Sequence, residues 1–180
     1  MKIPLLIILA LSAFEIMAAD FSALSDPEAD RQWVEAILDA EMKKNAPGSP
    51  AADFDFVDRA GKLHSLHDYI DGSTELMLIF FDPDCAECHQ LADSLRSDPE
   101  VTDRIAAGDL HIVMITPIET DSEEWNLYAA TLPPEWIVGY SPEGKVDTDS
   151  IYFLTHIPSI YTISPQGIIL TRQAHSLLTP

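Results

Sequence analysis

Residues 75–91 read ELMLIFFDPDCAECHQL, and the order of residue types in that stretch decides how the rest of the chain is read. Leu76 to Phe81 is a run of apolar, partly β-favouring residues between Gly72 and Pro83, the pattern of a buried strand. Cys85-Ala86-Glu87-Cys88 follows after one tight turn, and Cys88, Leu91 and Leu95 then recur at helical spacing. A thiol at the first turn of a helix faces unpaired backbone N–H groups and the positive end of the helix dipole, both of which favour the thiolate. With a second thiol three residues on, such a sulfur attacks an external disulfide and is then released by its neighbour.

Downstream, Asp98-Pro99-Glu100 opens a helix containing Val101 and Ile105 and closed by Gly108. Leu110 to Ile115 reads as a second buried strand. Asp121 caps a helix through Trp125 and Tyr128 that Pro133-Pro134 stops. Trp136 to Tyr140 is extended, Ser141-Pro142-Glu143-Gly144 turns, and Val146 to Leu154 reads as a short helix. Ser159–Ile163 and Ile168–Thr171 are strands joined by Ser164-Pro165-Gln166-Gly167, a hairpin signal. Upstream, Phe54, Phe56 and Leu63 alternate with polar residues around Arg59-Ala60-Gly61-Lys62, a second hairpin, from which Leu66 and Tyr69-Ile70 lead to the turn Asp71-Gly72. Asp26-Pro27 starts a helix carrying Trp33, Val34, Ile37, Leu38 and Met42, and Ala46 to Pro50 reads as a linker. Strands separated by helices and ended by a hairpin predict an α/β fold, a mixed central sheet with helices on both faces.

The first nineteen residues carry Lys2, an apolar stretch from Ile3 to Phe14 and small residues at Ala18-Ala19, the pattern of a signal peptide. The apolar run is too short to span a bilayer, so stable membrane insertion after signal removal is not expected. The expected division is therefore 1–19 signal peptide, 20–50 N-terminal helix and linker, and 51–180 the main domain. Among 180 residues, 30 are acidic and 10 basic, a formal charge of −20. Such a surface repels phosphate backbones and anionic headgroups, which argues against nucleic acid and peripheral membrane partners. Both cysteines of the chain lie in the Cys-x-x-Cys, and in an oxidising compartment a pair so close can cycle.

Cys85 is expected to attack because a helix start exposes the first cysteine and buries the second, and Cys88 to resolve the mixed disulfide. Asp82, Asp84 and Glu87 oppose the dipole, whose effect of about 1 kcal/mol three nearby carboxylates can cancel. A less stabilised thiolate points to a reducing or isomerising role. Glu87 is also a candidate to shuttle the proton of Cys88. Other readings stay open. Cys85 to His89 matches C-x-x-C-H, the attachment pattern of c-type haem, although a strand directly before the motif disfavours it. Zinc would need two further ligands. His64 and His67 read as solvated side chains, and Trp125, Tyr128, Trp136, Tyr140 and Tyr152 as core and edge packing. A binding module with a fixed Cys85–Cys88 disulfide is the non-catalytic alternative.

The stretch FDFVDRAGKLHSLHDYIDGSTELMLIFFDPDCAECHQL from Phe54, taken with HIPSIYTISPQGIIL from His156, resembles exported bacterial thioredoxin-like thiol-disulfide oxidoreductases, in the branch with an N-terminal β-hairpin and an insertion before the cis-proline. The resemblance spans Phe54 to about Arg172 and implies a three-layer thioredoxin-like sandwich in which Ile157 and cis-Pro158 face the cysteines and hold substrate backbone. It further implies protein thiol or disulfide substrates and no bound cofactor, while the signal pattern implies a periplasmic or secreted location and that compartment a membrane thiol carrier or another exported redox protein as electron donor. The chain departs from the family pattern at Asp84, where Trp is common, at Glu87, where Pro is common, and at Ile79, where thioredoxin has a buried acid. The long C-terminal helix of the family is shortened or missing after Thr171.

Overall fold

The computed structural model describes residues 27–118, 120 and 122–174. Seven strands form one mixed sheet: β1 (Asp55–Asp58), β2 (Leu63–Ser65), β3 (Glu75–Phe80), β4 (Leu110–Thr116), β5 (Ile137–Tyr140), β6 (Ser159–Ile163) and β7 (Ile169–Ala174). Their spatial order is β2-β1-β5-β4-β3-β6-β7. β4 runs parallel to both β3 and β5. The flanking pairs are antiparallel. The α-helices among the described residues are α1 (Pro27–Lys43), α2 (Ala86–Ser97), α3 (Pro99–Ala107), α4 (Glu123–Thr131) and the single turn α5 (Lys145–Thr148). The chain divides into two compact units, Met1–Glu41 and Met42–Pro180. The described part of the first is α1, with Trp33, Val34, Ile37 and Leu38 at helical spacing; the sheet belongs wholly to the second.

Side chains alternate along the central strands, and both faces are apolar, as parallel strands in mid-sheet require. Ile79, Ile112, Met114 and Ile160 point to one face, where α2 contributes Leu91, Ala92 and Leu95 and α4 contributes Trp125 and Ala129. Leu76, Leu78, Phe80, Val113 and Ile115 point to the other, with Phe54, Phe56, Leu66, Val146, Tyr152 and Tyr161. The mixed α/β architecture predicted from the strand and helix order is present, but the second face is covered mostly by irregular chain.

Local chemistry sets the element ends. The Asp98 side chain accepts from the Glu100 N–H at 2.9 Å and the Val101 N–H at 3.4 Å, opening α3 behind Pro99. Gly108 closes it at φ 79°, a left-handed conformation glycine adopts without strain. Gly139 is fixed for another reason: a Cβ there would lie 2.5 Å from the Val57 carbonyl oxygen, where β1 meets β5.

Several expectations need correction. The helix read over Val146–Leu154 lasts only from Lys145 to Thr148. Ser150 takes φ 47° and ends it, and the segment beyond goes on to bury Tyr152 against the sheet. The stretch Ala46 to Pro50 is no free linker, since Gly48 N–H donates to Ile169 O and Ile169 N–H to Ser49 O, binding it to the start of β7. His64 is not solvated: its Nε2 lies 2.9 Å from Asp58 Oδ2, its Nδ1 3.2 Å from Tyr69 Oη, and its ring stacks on Phe56. His67 is half exposed, and its Nε2 donates to Ala51 O at 3.0 Å. The cap seen on α4 is the Ser122 side chain, which accepts from Trp125 N–H. The signal segment 1–19, the Asp26 and Asp121 caps and the chain after Ala174 lie outside the described residues.

Candidate functional site

The antiparallel register of β3 with β6 builds the site. Phe80 pairs with Ser159, so the turn that follows β3 and the loop that precedes β6 emerge at the same end of neighbouring strands. Phe81 N–H still donates to Ile115 O, and the chain then leaves the sheet. Asp82 shapes the turn by accepting from Asp84 N–H through its side chain at 2.8 Å and from Cys85 N–H through its carbonyl at 3.1 Å. Cys85 takes extended dihedrals as the N-cap residue of α2.

At that cap the Cys85 sulfur accepts from Cys88 N–H at 3.2 Å. The same sulfur lies 3.7 Å from Glu87 Oε2 and 3.8 Å from the Ile157 carbonyl oxygen. The Ile157–Pro158 peptide is cis. Cys85, Glu87 and Ile157 are thus gathered around one sulfur, with Pro158 buried next to Ile157. Glu87, the candidate to shuttle the Cys88 proton, has its Oε2 in contact with the Cys85 sulfur.

The two thiols are free and unlike. Cys85 is half-buried, whereas Cys88 is wholly buried in the apolar cluster under α2. Burial pushes the Cys88 thiol well above its ordinary value, the neighbouring Cys85 sulfur pushes it further, and the Asp82 backbone N–H acts in the opposite sense. The position of the buried acid in thioredoxin is held by Ile79, itself fully buried. His89 donates through Nε2 to Pro83 O at 2.7 Å and stacks on Tyr128 at 4.3 Å. That ring nitrogen is bonded to the backbone and Cys88 is buried, and the C-x-x-C-H pentapeptide forms the start of α2. Among the described residues no group of three or more His, Cys, Asp or Glu is arranged to hold a metal ion.

Beside the motif is a shallow cavity of about 180 Å³ lined in part by Asp82, Asp84, Ile118 and Glu124. Of the aromatic residues read as packing, Trp125, Trp136 and Tyr152 are buried. Trp125 donates to Thr116 Oγ1 at 3.0 Å. Sequence reasoning missed two supports of the site. Arg59, read only as part of a hairpin turn, donates to the carbonyls of Ala129, Leu132, Pro133 and Trp136 and so holds the end of α4 to the start of β5. Asn45, at φ 46°, donates to Ile151 O at 2.7 Å and accepts from Ala52 N–H at 2.7 Å, tying down the segment that leads to Pro158. Neither carries a local signal, because each acts on carbonyls 70 or more positions away in sequence or, for Ala52, through a turn no motif marks.

With the sheet order, the capped sulfur and the cis-proline loop in place, the chain has a thioredoxin-like fold. A conserved protein of unknown function from Bacteroides fragilis is 28% identical, with a TM-score of 0.66 over 72% of this chain and 92% of that one. A thioredoxin-like protein from Bacteroides caccae is 25% identical at a TM-score of 0.74, over 89% of this chain; the match spans 56% of that longer chain. The thioredoxin domain of a thiol-disulfide oxidoreductase from Bacteroides vulgatus shares the fold at 20% identity, with a TM-score of 0.62 over 73% of this chain and 90% of that one. No family model matches the chain. No curated protein matches it either.

Proposed function

We propose that the protein is an exported thiol-disulfide oxidoreductase that exchanges disulfides with protein substrates and works as a reductant or isomerase. The observation that carries this reading is the Cys85 sulfur, half exposed, 3.2 Å from a helix N–H donor and 3.8 Å from the carbonyl of the cis-proline loop. The Cys85 thiolate attacks a substrate disulfide, forming a mixed disulfide and releasing one substrate thiolate. Cys88 then attacks the Cys85 sulfur, closing the Cys85–Cys88 disulfide and releasing the second substrate thiol. The substrate gains two electrons, and a membrane thiol carrier or another exported redox protein restores the dithiol.

Ile157 and Pro158 present backbone to an extended substrate segment, in the manner of strand addition. Glu87, in contact with the Cys85 sulfur, receives and returns its proton. Asp82 and Asp84 precede the motif and Glu87 Oε2 lies 3.7 Å from that sulfur, and these acidic surroundings are what supports the reading of reductant or isomerase rather than oxidant. Export rests on the pattern of residues 1–19. No helix among the described residues is long and apolar enough to cross a membrane. Equilibration with a dithiol buffer tests the direction: the reading expects a reduction potential near the thioredoxin value of about −270 mV, and a value near the strong-oxidant value of about −120 mV contradicts it. Cys85→Ser is expected to abolish exchange.

A further inference from the structure

The turn that presents Cys85 lies outside the sheet. Phe81 N–H makes the last bond to β4, and within four residues the chain has entered α2 with Cys85 as its N-cap. There the Cys85 sulfur takes the Cys88 N–H at 3.2 Å, which requires the extended dihedrals of Cys85, φ −83° and ψ 113°. Rotation at this hinge would carry the sulfur away from its donor. The peptide groups just before Cys85 therefore decide what surrounds the reacting sulfur.

The Pro83–Asp84 peptide is held from both sides. Its N–H donates to the Asp82 side chain at 2.8 Å, and its carbonyl oxygen lies 2.7 Å from His89 Nε2. A carbonyl only accepts, so the imidazole donates through Nε2 whether neutral or protonated. The His89 backbone N–H donates in turn to Cys85 O at 3.2 Å. One residue thus grips the chain on either side of Asp84. Its side chain reaches back over the first turn of α2, the direction in which helical side chains lean. Although His89 is exposed, its ring is oriented from outside the helix. It lies on Tyr128 of α4 at 4.3 Å and 14°, and Tyr128 packs on Phe81 at 5.7 Å. The stack runs from the residue before the turn to the residue after the motif. A ring already oriented gives up little freedom when it bonds.

We propose that His89 is a positioning residue for Cys85: by holding the Pro83 carbonyl, its imidazole keeps the turn in the arrangement in which the Cys85 sulfur meets the Cys88 N–H. The histidine of the C-x-x-C-H pentapeptide then serves the backbone in front of the first cysteine. Pro83, with its φ fixed by the ring, and the Asp82 side chain supply the remaining restraint. Loss of the imidazole donor therefore loosens the turn without dissolving it, and the sulfur spends less time against its N–H.

The inference rests on the redox reading above, and one experiment separates the two. Reduced protein mixed with 5,5′-dithiobis(2-nitrobenzoate) releases its first coloured thiolate as Cys85 attacks, and the rate of that phase is followed against pH. His89→Phe keeps a ring to stack on Tyr128 and removes the donor. His89→Gln removes the ring and keeps an N–H donor at a similar reach. Neither variant carries the imidazole charge, and Asp82, Asp84, Glu87, Cys88 and Tyr128 are the same in both, so the difference between them reports the bond. A sulfur that loses part of an N–H bond ionises less readily. The midpoint of the first phase is expected to move upward by about half a pH unit in His89→Phe, the equivalent of part of one hydrogen bond, and to return to the wild-type value in His89→Gln. An unmoved midpoint in His89→Phe, or the same displacement in both variants, overturns the inference. Should His89→Phe not fold, His89→Ala, favourable at an exposed helix position, takes its place with the same two outcomes. Wild-type protein that releases no thiolate at all removes the redox reading itself, and this role with it.

Discussion

The two faces of the sheet are finished by different means. On one, α2 and α4 bring Leu91, Leu95, Trp125 and Ala129 onto Ile79, Ile112 and Met114, and the backbone of the cover satisfies itself within the helices. On the other, residues 149–157 and the chain before β1 lie over Leu78, Phe80 and Val113 with little regular structure. Side chains there supply what helices supply on the first face. Tyr152 donates to Ala52 O and Tyr161 to Phe153 O, each at 2.8 Å. Asn45 bonds to Ile151 O and Ala52 N–H, and Arg172 donates to Met42 O and Lys44 O while its guanidinium stacks over Phe153. The helical face carries the cysteines; the irregular face holds the loop that meets them. One sulfur environment therefore depends on two kinds of support.

That division can be broken from either side. Trp125→Ala opens the helical face and removes the bond to Thr116, and is expected to lower stability by about 3–5 kcal/mol in a denaturant titration. The fraction that stays folded should still exchange disulfides at Cys85. Asn45→Ala removes one donor and one acceptor at a residue only 7% exposed, for an expected loss of about 2 kcal/mol. Here exchange should slow beyond what the unfolded fraction explains, because the segment leading to Ile157 loses its anchor. Tyr161→Phe removes a single hydroxyl, for about 1 kcal/mol, and is expected to slow the first exchange step measurably with a small shift in the denaturation midpoint. If Trp125→Ala impairs the folded protein's exchange more than Asn45→Ala does, the assignment of loop support to the irregular face is wrong.

The same contrast explains what could be read from the chain. β3, β4, the α2 stripe of Cys88, Leu91 and Leu95, and the caps at Asp98 and Gly108 announce themselves by local periodicity and turn chemistry, and they lie where expected. The helix expected over Val146–Leu154 ends at Thr148 because Ser150 takes φ 47°, outside the helical region, and the chain beyond it buries Tyr152. Ala46–Pro50 looked like a linker because proline and glycine mark irregular chain; only the partner strand β7 shows that this irregular chain is bonded. At the site, the Cys85–Cys88 spacing and Pro158 were visible, the first from the motif and the second from a family resemblance. Tyr128 was visible only as an aromatic residue in a helix. Its stacking on His89 joins α4 to the first turns of α2, a contact between residues far apart in sequence that no local pattern encodes.

The β3–β6 register sets a partly accessible sulfur at Cys85 beside the cis-proline loop and a shielded one at Cys88. Alkylation of the fully reduced, folded protein with iodoacetamide, followed residue by residue by mass spectrometry, measures this directly. Cys85 should be modified first, with Cys88 untouched until the protein is unfolded; equal rates at the two sulfurs, or prior modification of Cys88, would contradict it.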